Sequence, residues 1–175
     1  MNAVTEKMTN LEWLTQIGLK AIEYTEDPKG TGEKGPSWED RCGAIASIEC
    51  PACKAYCELL VWGDYRDNTV AYDVLQKYLA NILHDALKSK VKRATFNIES
   101  LSLKVAKMTL FFNLRDIKNM DVESRLKFAG IRELKSETYR KNYIFLEYMV
   151  ERMLDDMKDE IDYYVDIYRQ NLRKS

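Results

Sequence analysis

Apolar residues along this chain recur at steps of three and four, and nowhere do they alternate with polar ones for long enough to demand a sheet. The pattern predicts an all-α protein. In "TNLEWLTQIGLKAIEYT", Thr9 and Glu12 have capping-box spacing, while Leu11, Leu14, Ile17 and Ile22 fall near one face. Residues 1–25 are therefore expected to hold an N-terminal helix. Residues 26–37, with Gly30, Gly32, Gly35 and Pro36 close together, are expected to be a flexible linker. Residues 38–90 read as a helical region carrying a cysteine cluster, with Pro51 suited to the first turn of "ACKAYCELLVW" and Gly63 as an interruption. After Asn68 or Thr69, the residues Ala71, Val74, Tyr78, Ile82 and Leu83 form the expected apolar face of the next helix.

The polar "KSKVKRATFN" behind that helix reads as a basic connection, and residues 91–175 are expected to hold a helix-turn-helix-like region and a long C-terminal helix. Leu101, Val105, Met108 and Phe112 step along one face of "IESLSLKVAKMTLFFNLRDI". Asp121 can cap "VESRLKFA", and Gly130 stands where a helix ends in a left-handed residue. Ser136 can cap the final helix. From Glu137 to Leu172 there is no Gly or Pro, and Leu146, Val150, Met153, Met157, Ile161, Tyr164, Tyr168 and Leu172 form a stripe. A single helix of that extent would be about 50 Å long at about 1.5 Å per residue. Its stripe then has to meet other helices of the chain or a second copy, so a homodimer is one expected assembly.

With 175 residues, 46% of them hydrophobic, the chain can bury a real core. Its net charge of −1 conceals an asymmetry. Lys and Arg number 8 against 14 Asp and Glu over residues 1–86, 14 against 6 over 87–141, and 5 against 8 over 142–175. A block of net +8 between acidic blocks is able to concentrate cations where a polyanion could bind, unless the acidic flanks fold back over it. No apolar run reaches the roughly 18 residues of a membrane span, and "MNAVTEKMTNLEW" lacks a signal-peptide pattern. A cytoplasmic chain with no membrane partner is expected.

In a reducing compartment the four cysteines are expected as thiols rather than disulfides. Cys42, Cys50, Cys53 and Cys57 lie within 16 residues, a concentration that suggests zinc, although only "CPAC" is a C-x-x-C turn. Cys53 and Cys57 share a helical face, which serves a ligand pair and a buried core stripe equally well. Catalysis finds little support. His84 is the only histidine, and it reads as a boundary residue of its helix. "KGTGEKGPS" lacks the ending of a phosphate loop, and "DDMKDE", residues 155–160, reads as the solvated face of the last helix. A non-enzyme is expected.

A helix-turn-helix needs a short amphipathic helix, a tight turn and a second helix with polar residues at its start. "DVESRLKFAGIRELKSETYRKNYIFLEYMVERML" meets these needs, with five residues between Gly130 and Ser136 where a tight turn takes three or four in all. Leu126, Ala129, Ile131 and Leu134 can pack the two helices together, and Tyr139, Tyr143 and Leu146 would face inward. Thr138, Lys141 and Asn142 are left for solvent or DNA. Lys127, Arg132, Lys135 and Arg140 are placed for phosphates, and the helix start at Ser136 favours an anion.

The same segment resembles the C-terminal helix-turn-helix of phage late-gene antitermination proteins of the Q type, and "LLVWGDYRDN", with Trp62, Gly63 and Arg66, resembles their tryptophan-glycine segment. The resemblance implies a transcription regulator that binds double-stranded DNA and acts on host RNA polymerase, in the host cytoplasm if phage-encoded. Base recognition would then fall to Thr138, Lys141 and Asn142. The alternative reading is an all-α protein-interaction or adaptor module without nucleic-acid binding, dimeric through the long C-terminal helix.

Overall fold

The computed structural model describes residues 9–15, 37–63 and 68–175, and among these every regular element is a helix. In chain order they are α1 (Asn10–Thr15), α2 (Trp38–Ala46), α3 (Pro51–Trp62), α4 (Thr69–Lys90), α5 (Ile98–Leu114), α6 (Val122–Ala129), α7 (Ser136–Asn142) and α8 (Phe145–Lys174). The linker and the later part of the expected first helix lie outside the described residues. No helix among those described is long and apolar enough to cross a membrane.

Local chemistry accounts for most helix starts. Thr9 and Glu12 form the expected box, the Thr9 N–H donating to Glu12 Oε2 at 2.8 Å and the Glu12 N–H to Thr9 Oγ1 at 3.2 Å. Ser37 and Asp40 do the same for α2. Pro51 sits in the first turn of α3, where its missing N–H costs nothing. Asn97 caps α5 and Asp121 caps α6 through side-chain oxygens.

One continuous core runs from Trp13 and Leu14 through α2–α6 to Val165 on α8. The α4 and α5 helices form an antiparallel pair joined by residues 91–97, with α3 against α4, and α8 lies across α5, α3, α2 and α1. Gly43 of α2 permits this last approach, because a Cβ there would overlap the Tyr168 ring of α8. The Asn10 side chain is held between Asp162, Asp166 and Arg169, and the Arg169 guanidinium lies over the Trp13 ring.

Two expectations about packing faces and lengths are corrected. On α4 the buried strip is Ala71, Leu75, Leu79, Leu83 and Leu87 with Gln76 and Ala80, while Val74 and Tyr78 are exposed and Ile82 is half-buried. The helix is sandwiched between α3 and α5, so its four leucines at steps of four carry the contact. The last helix is also broken. Both the Tyr143 and Ile144 N–H groups donate to the Tyr139 carbonyl, ending α7, and α8 begins afresh at Phe145. At 30 residues α8 is about 45 Å long. Its stripe is covered by this chain's own helices: Leu146, Val150, Met157 and Ile161 are buried, with Leu154 and Val165 beside them, and Met153, Tyr164, Tyr168 and Leu172 are half-buried.

Candidate functional site

The α6–α7 segment is built from short-range interactions. The Asp121 carboxylate accepts the Ser124 N–H at 2.9 Å and the Ser124 hydroxyl at 2.8 Å, contacts that hold it below the usual carboxylate range. At the other end of α6, Gly130 is left-handed (φ 71°), and the N–H groups of Gly130 and Ile131 turn back to the carbonyls of Lys127 and Leu126. Ile131 plugs the turn into the core, and Leu134 is half-buried behind it. Glu133 ties the turn to α5, accepting the Arg132 N–H at 2.9 Å and lying 3.5 Å from Lys104 Nζ. Partial burial opposes ionisation of Glu133, but its backbone contacts and Lys104 hold the carboxyl below its ordinary value.

The α7 helix has a single buried side chain, Tyr139, at 0% exposure. Ser136 is its first helical residue rather than its cap; Lys135 takes the cap position, and no side chain caps the helix. Arg132, Lys135, Thr138, Arg140, Lys141 and Asn142 are exposed, as is Lys127 on α6, and Ser136 is half-buried. Lys127 and Lys141 each lie in an i,i+4 pair, with Glu123 at 3.2 Å and Glu137 at 3.4 Å. Among the described residues Arg132, Lys135 and Arg140 have no carboxylate partner.

The connection between α4 and α5 adds cations that the sequence pattern did not assign to this site. The Phe96 ring stands edge-on to Tyr143 with centroids 5.5 Å apart. Lys90 Nζ lies 3.9 Å from the centre of the Phe145 ring and donates to the Asn142 carbonyl at 3.4 Å, an oxygen released by the break between α7 and α8. Lys88 precedes Lys90 in the last turn of α4 and Lys92 and Arg93 follow it in the connection, all three exposed and without carboxylate partners among the described residues. The signal in the sequence was the basic run itself. Its neighbour across the fold was not visible there.

Behind α7, the Arg125 Nε is 3.0 Å from Glu147 Oε1 and its Nη2 donates to Oε2 at 3.3 Å, while Nη1 donates to the Met120 carbonyl at 2.6 Å. This ion pair borders a cleft of about 520 Å³ whose lining includes Thr109, Asn113, Glu151 and Lys158. Burial raises the Glu151 carboxyl, and the neighbouring Glu147 adds to the effect. His84 is partly exposed, with Nδ1 3.9 Å from Asp85 Oδ1, in the boundary position expected of it.

The four cysteines separate. Cys50 is the cap residue of α3 and Cys53 its third residue; the Cys53 thiol donates to Glu160 Oε2 on α8 at 3.0 Å. The ligand atoms of Cys50, Cys53 and Glu160 all lie within 4.8 Å of one another, a group that could hold a metal ion. Burial, followed by the contact with Glu160, pushes the Cys53 thiol far above its ordinary value. Cys57 is fully buried one turn along α3, its thiol pushed up to about 12 by burial, and Cys42 sits half-buried on α2; neither joins the group. Glu160 belongs to the acidic run read as a solvated face. It is instead half-buried against α3, because it stands one turn from Met157 and Tyr164 at the edge of the buried stripe, while Lys158 and Asp159 stay exposed. Comparison with protein-family models, curated proteins and solved structures gives no match.

Proposed function

We propose that this protein is a DNA-binding regulator that grips duplex DNA with a basic face made of the α6–α7 segment and the α4–α5 connection. The observation that carries the reading is the contact of Lys90 and Phe96 with the end of α7. It brings Lys90 and Phe96, from one basic stretch, against the end of another that lies about 40 residues further along the chain, which supports a shared face for a phosphate backbone. In this reading Thr138, Lys141 and Asn142 face base edges, and Lys127, Arg132, Lys135 and Arg140 anchor phosphates. Thr138 lies in the first turn of α7, where a recognition helix meets base edges, and Lys141 and Asn142 follow in its second turn. Action on RNA polymerase, and with it antitermination, is supported by the resemblance to Q-type proteins alone.

The test is anisotropy of a labelled mixed-sequence duplex titrated with protein between 50 and 200 mM salt, a range of about fourfold. Six exposed cations, Lys88, Lys92, Arg93, Arg132, Lys135 and Arg140, have no carboxylate partner among the described residues, while Lys127 is already paired with Glu123 and adds little net counterion release. If each meets one phosphate, the slope of log K against log salt is about −5, and affinity falls about 10³-fold over that range. Replacing Arg132, Lys135 and Arg140 by Ala should halve the slope, leaving a fall of about 40-fold. No binding at low salt, or an unchanged slope in the triple variant, would remove the reading.

A second reading, an interaction module, draws on Phe128. Its ring is 52% exposed and stacks on Phe111 and Phe112 at 5.1 Å each. An apolar partner seated there would bind with little dependence on salt and would be lost on Phe128→Ala.

A further inference from the structure

We infer that Cys50, Cys53 and Glu160 form a zinc site that fastens the start of α3 to the middle of α8. The site differs from the four-cysteine set expected from spacing, and it does not depend on the DNA reading, because none of its ligands lies on the basic face.

The geometry starts from "CPAC". Pro51 opens the helix, so Cys50 stays outside it in extended backbone (φ −70°, ψ 118°) while Cys53 is already helical. A cap residue and the third helical residue project toward the same end of the helix, the relation used by an N-cap side chain to reach the first-turn N–H groups. The two thiols therefore meet at the α3 N-terminus. Glu160 arrives from α8, 107 residues beyond Cys53, and its Oε2 already lies 3.0 Å from Cys53 Sγ.

With zinc–sulfur bonds of about 2.3 Å and zinc–oxygen bonds of about 2.1 Å, a tetrahedron separates its ligand atoms by about 3.6–3.8 Å. The three atoms here lie within 4.8 Å of one another, so side-chain rotation of a few tenths of an ångström to about 1 Å closes the shell. Two sulfurs and one carboxylate oxygen suit a borderline-soft ion and exclude magnesium and calcium, which take oxygen. On binding, the two thiol protons leave to solvent and the sulfurs coordinate as thiolates. The fourth position falls to water. Cys57 does not supply it, because its sulfur, one turn along α3, stands outside the group of ligand atoms that Cys50, Cys53 and Glu160 form.

The experiment uses the full chain under reducing conditions. Zinc bound after gel filtration is measured by atomic emission, and cobalt(II) titration reads the sulfur-to-cobalt charge-transfer absorption that reports thiolate ligation. The wild type is expected to retain a single equivalent of zinc and to show the band. Cys50→Ser and Cys53→Ser should lose the full band, and Glu160→Gln should weaken zinc by at least about tenfold, since even indirect partners of a ligand are worth that much. Cys42→Ser and Cys57→Ser should bind as the wild type does, with helicity by circular dichroism checked in every variant. The wild-type measurement stands even if a variant fails to fold: absence of the band, or recovery of the chain with a Cys50–Cys53 disulfide and no metal, overturns the proposal. A folded Cys42→Ser or Cys57→Ser variant that loses the band, or Glu160→Gln binding at wild-type affinity, overturns the ligand set.

Discussion

Tyr139 and Tyr56 are both fully buried tyrosines, yet removing the hydroxyl should destabilise the fold at Tyr56 and not at Tyr139. The Tyr56 hydroxyl donates to Asn113 Oδ1 at 2.7 Å. The Tyr139 hydroxyl faces Glu147 but makes no well-directed hydrogen bond with it, and the Glu147 carboxylate is shared with Arg125. Burial raises both phenols above their ordinary range, with Asp155 adding to the effect on Tyr56 and Glu147 to that on Tyr139. A typical hydrogen bond contributes about 0.5–1.5 kcal/mol, so Tyr56→Phe should destabilise by about 1 kcal/mol. A buried hydroxyl without a partner costs about 1–3 kcal/mol in protein mutants, so Tyr139→Phe should be neutral or stabilise by up to about 1 kcal/mol. In urea, with a slope of about 2 kcal/mol per M, the two midpoints should separate by about 0.5–1 M. Equal downward shifts would refute the reasoning and place a formed Tyr139–Glu147 hydrogen bond in the core. Tyr139→Ala is the complementary change. It removes the one side chain that docks α7, at a cost of about 3–5 kcal/mol, and a two-turn helix cannot persist in water without such an anchor. On the proposed DNA-binding reading, affinity for duplex DNA should go with it.

Two further outcomes test the α6–α7 segment. Gly130→Ala meets no atom within 4 Å, so its cost is the left-handed backbone alone, about 1–2 kcal/mol; an unchanged melting curve would contradict the turn geometry. Asp121, held below its unfolded value of about 3.9, contributes stability that is present above that value and lost as pH falls through its folded pKa. The Ser124 amide resonance should therefore titrate in acid in the wild type and stay flat in Asp121→Asn, and titration in both would assign the effect elsewhere.

The chemistry that a residue exerts on its immediate neighbours was readable in advance. Thr9 with Glu12, Pro51, Asp121 and Gly130 act within five residues of themselves, and each does in the fold what its spacing implied. The strip Leu101, Val105, Met108 and Phe112 was legible for a related reason, since α5 is pressed on several sides and any apolar face it offers is buried. The face of α4 was not. Its neighbours α3 and α5 select the leucines over Val74 and Tyr78, and a periodic pattern alone cannot say from which directions neighbours will come.

The all-α class, most helix starts and the exposed, basic character of residues 127–142 are written in the chain itself, because helical periodicity, caps and charge are properties of short stretches. The place where the last helix breaks is set by packing instead, since no Gly or Pro marks Tyr143, and Phe96 and Lys90 come to the break from another hairpin. Packing also brings two cysteines to a glutamate 107 residues beyond Cys53 while keeping the other two away. Such juxtapositions depend on how helices are rotated and stacked against one another, and that is settled by the shape of the whole core rather than by any segment within it.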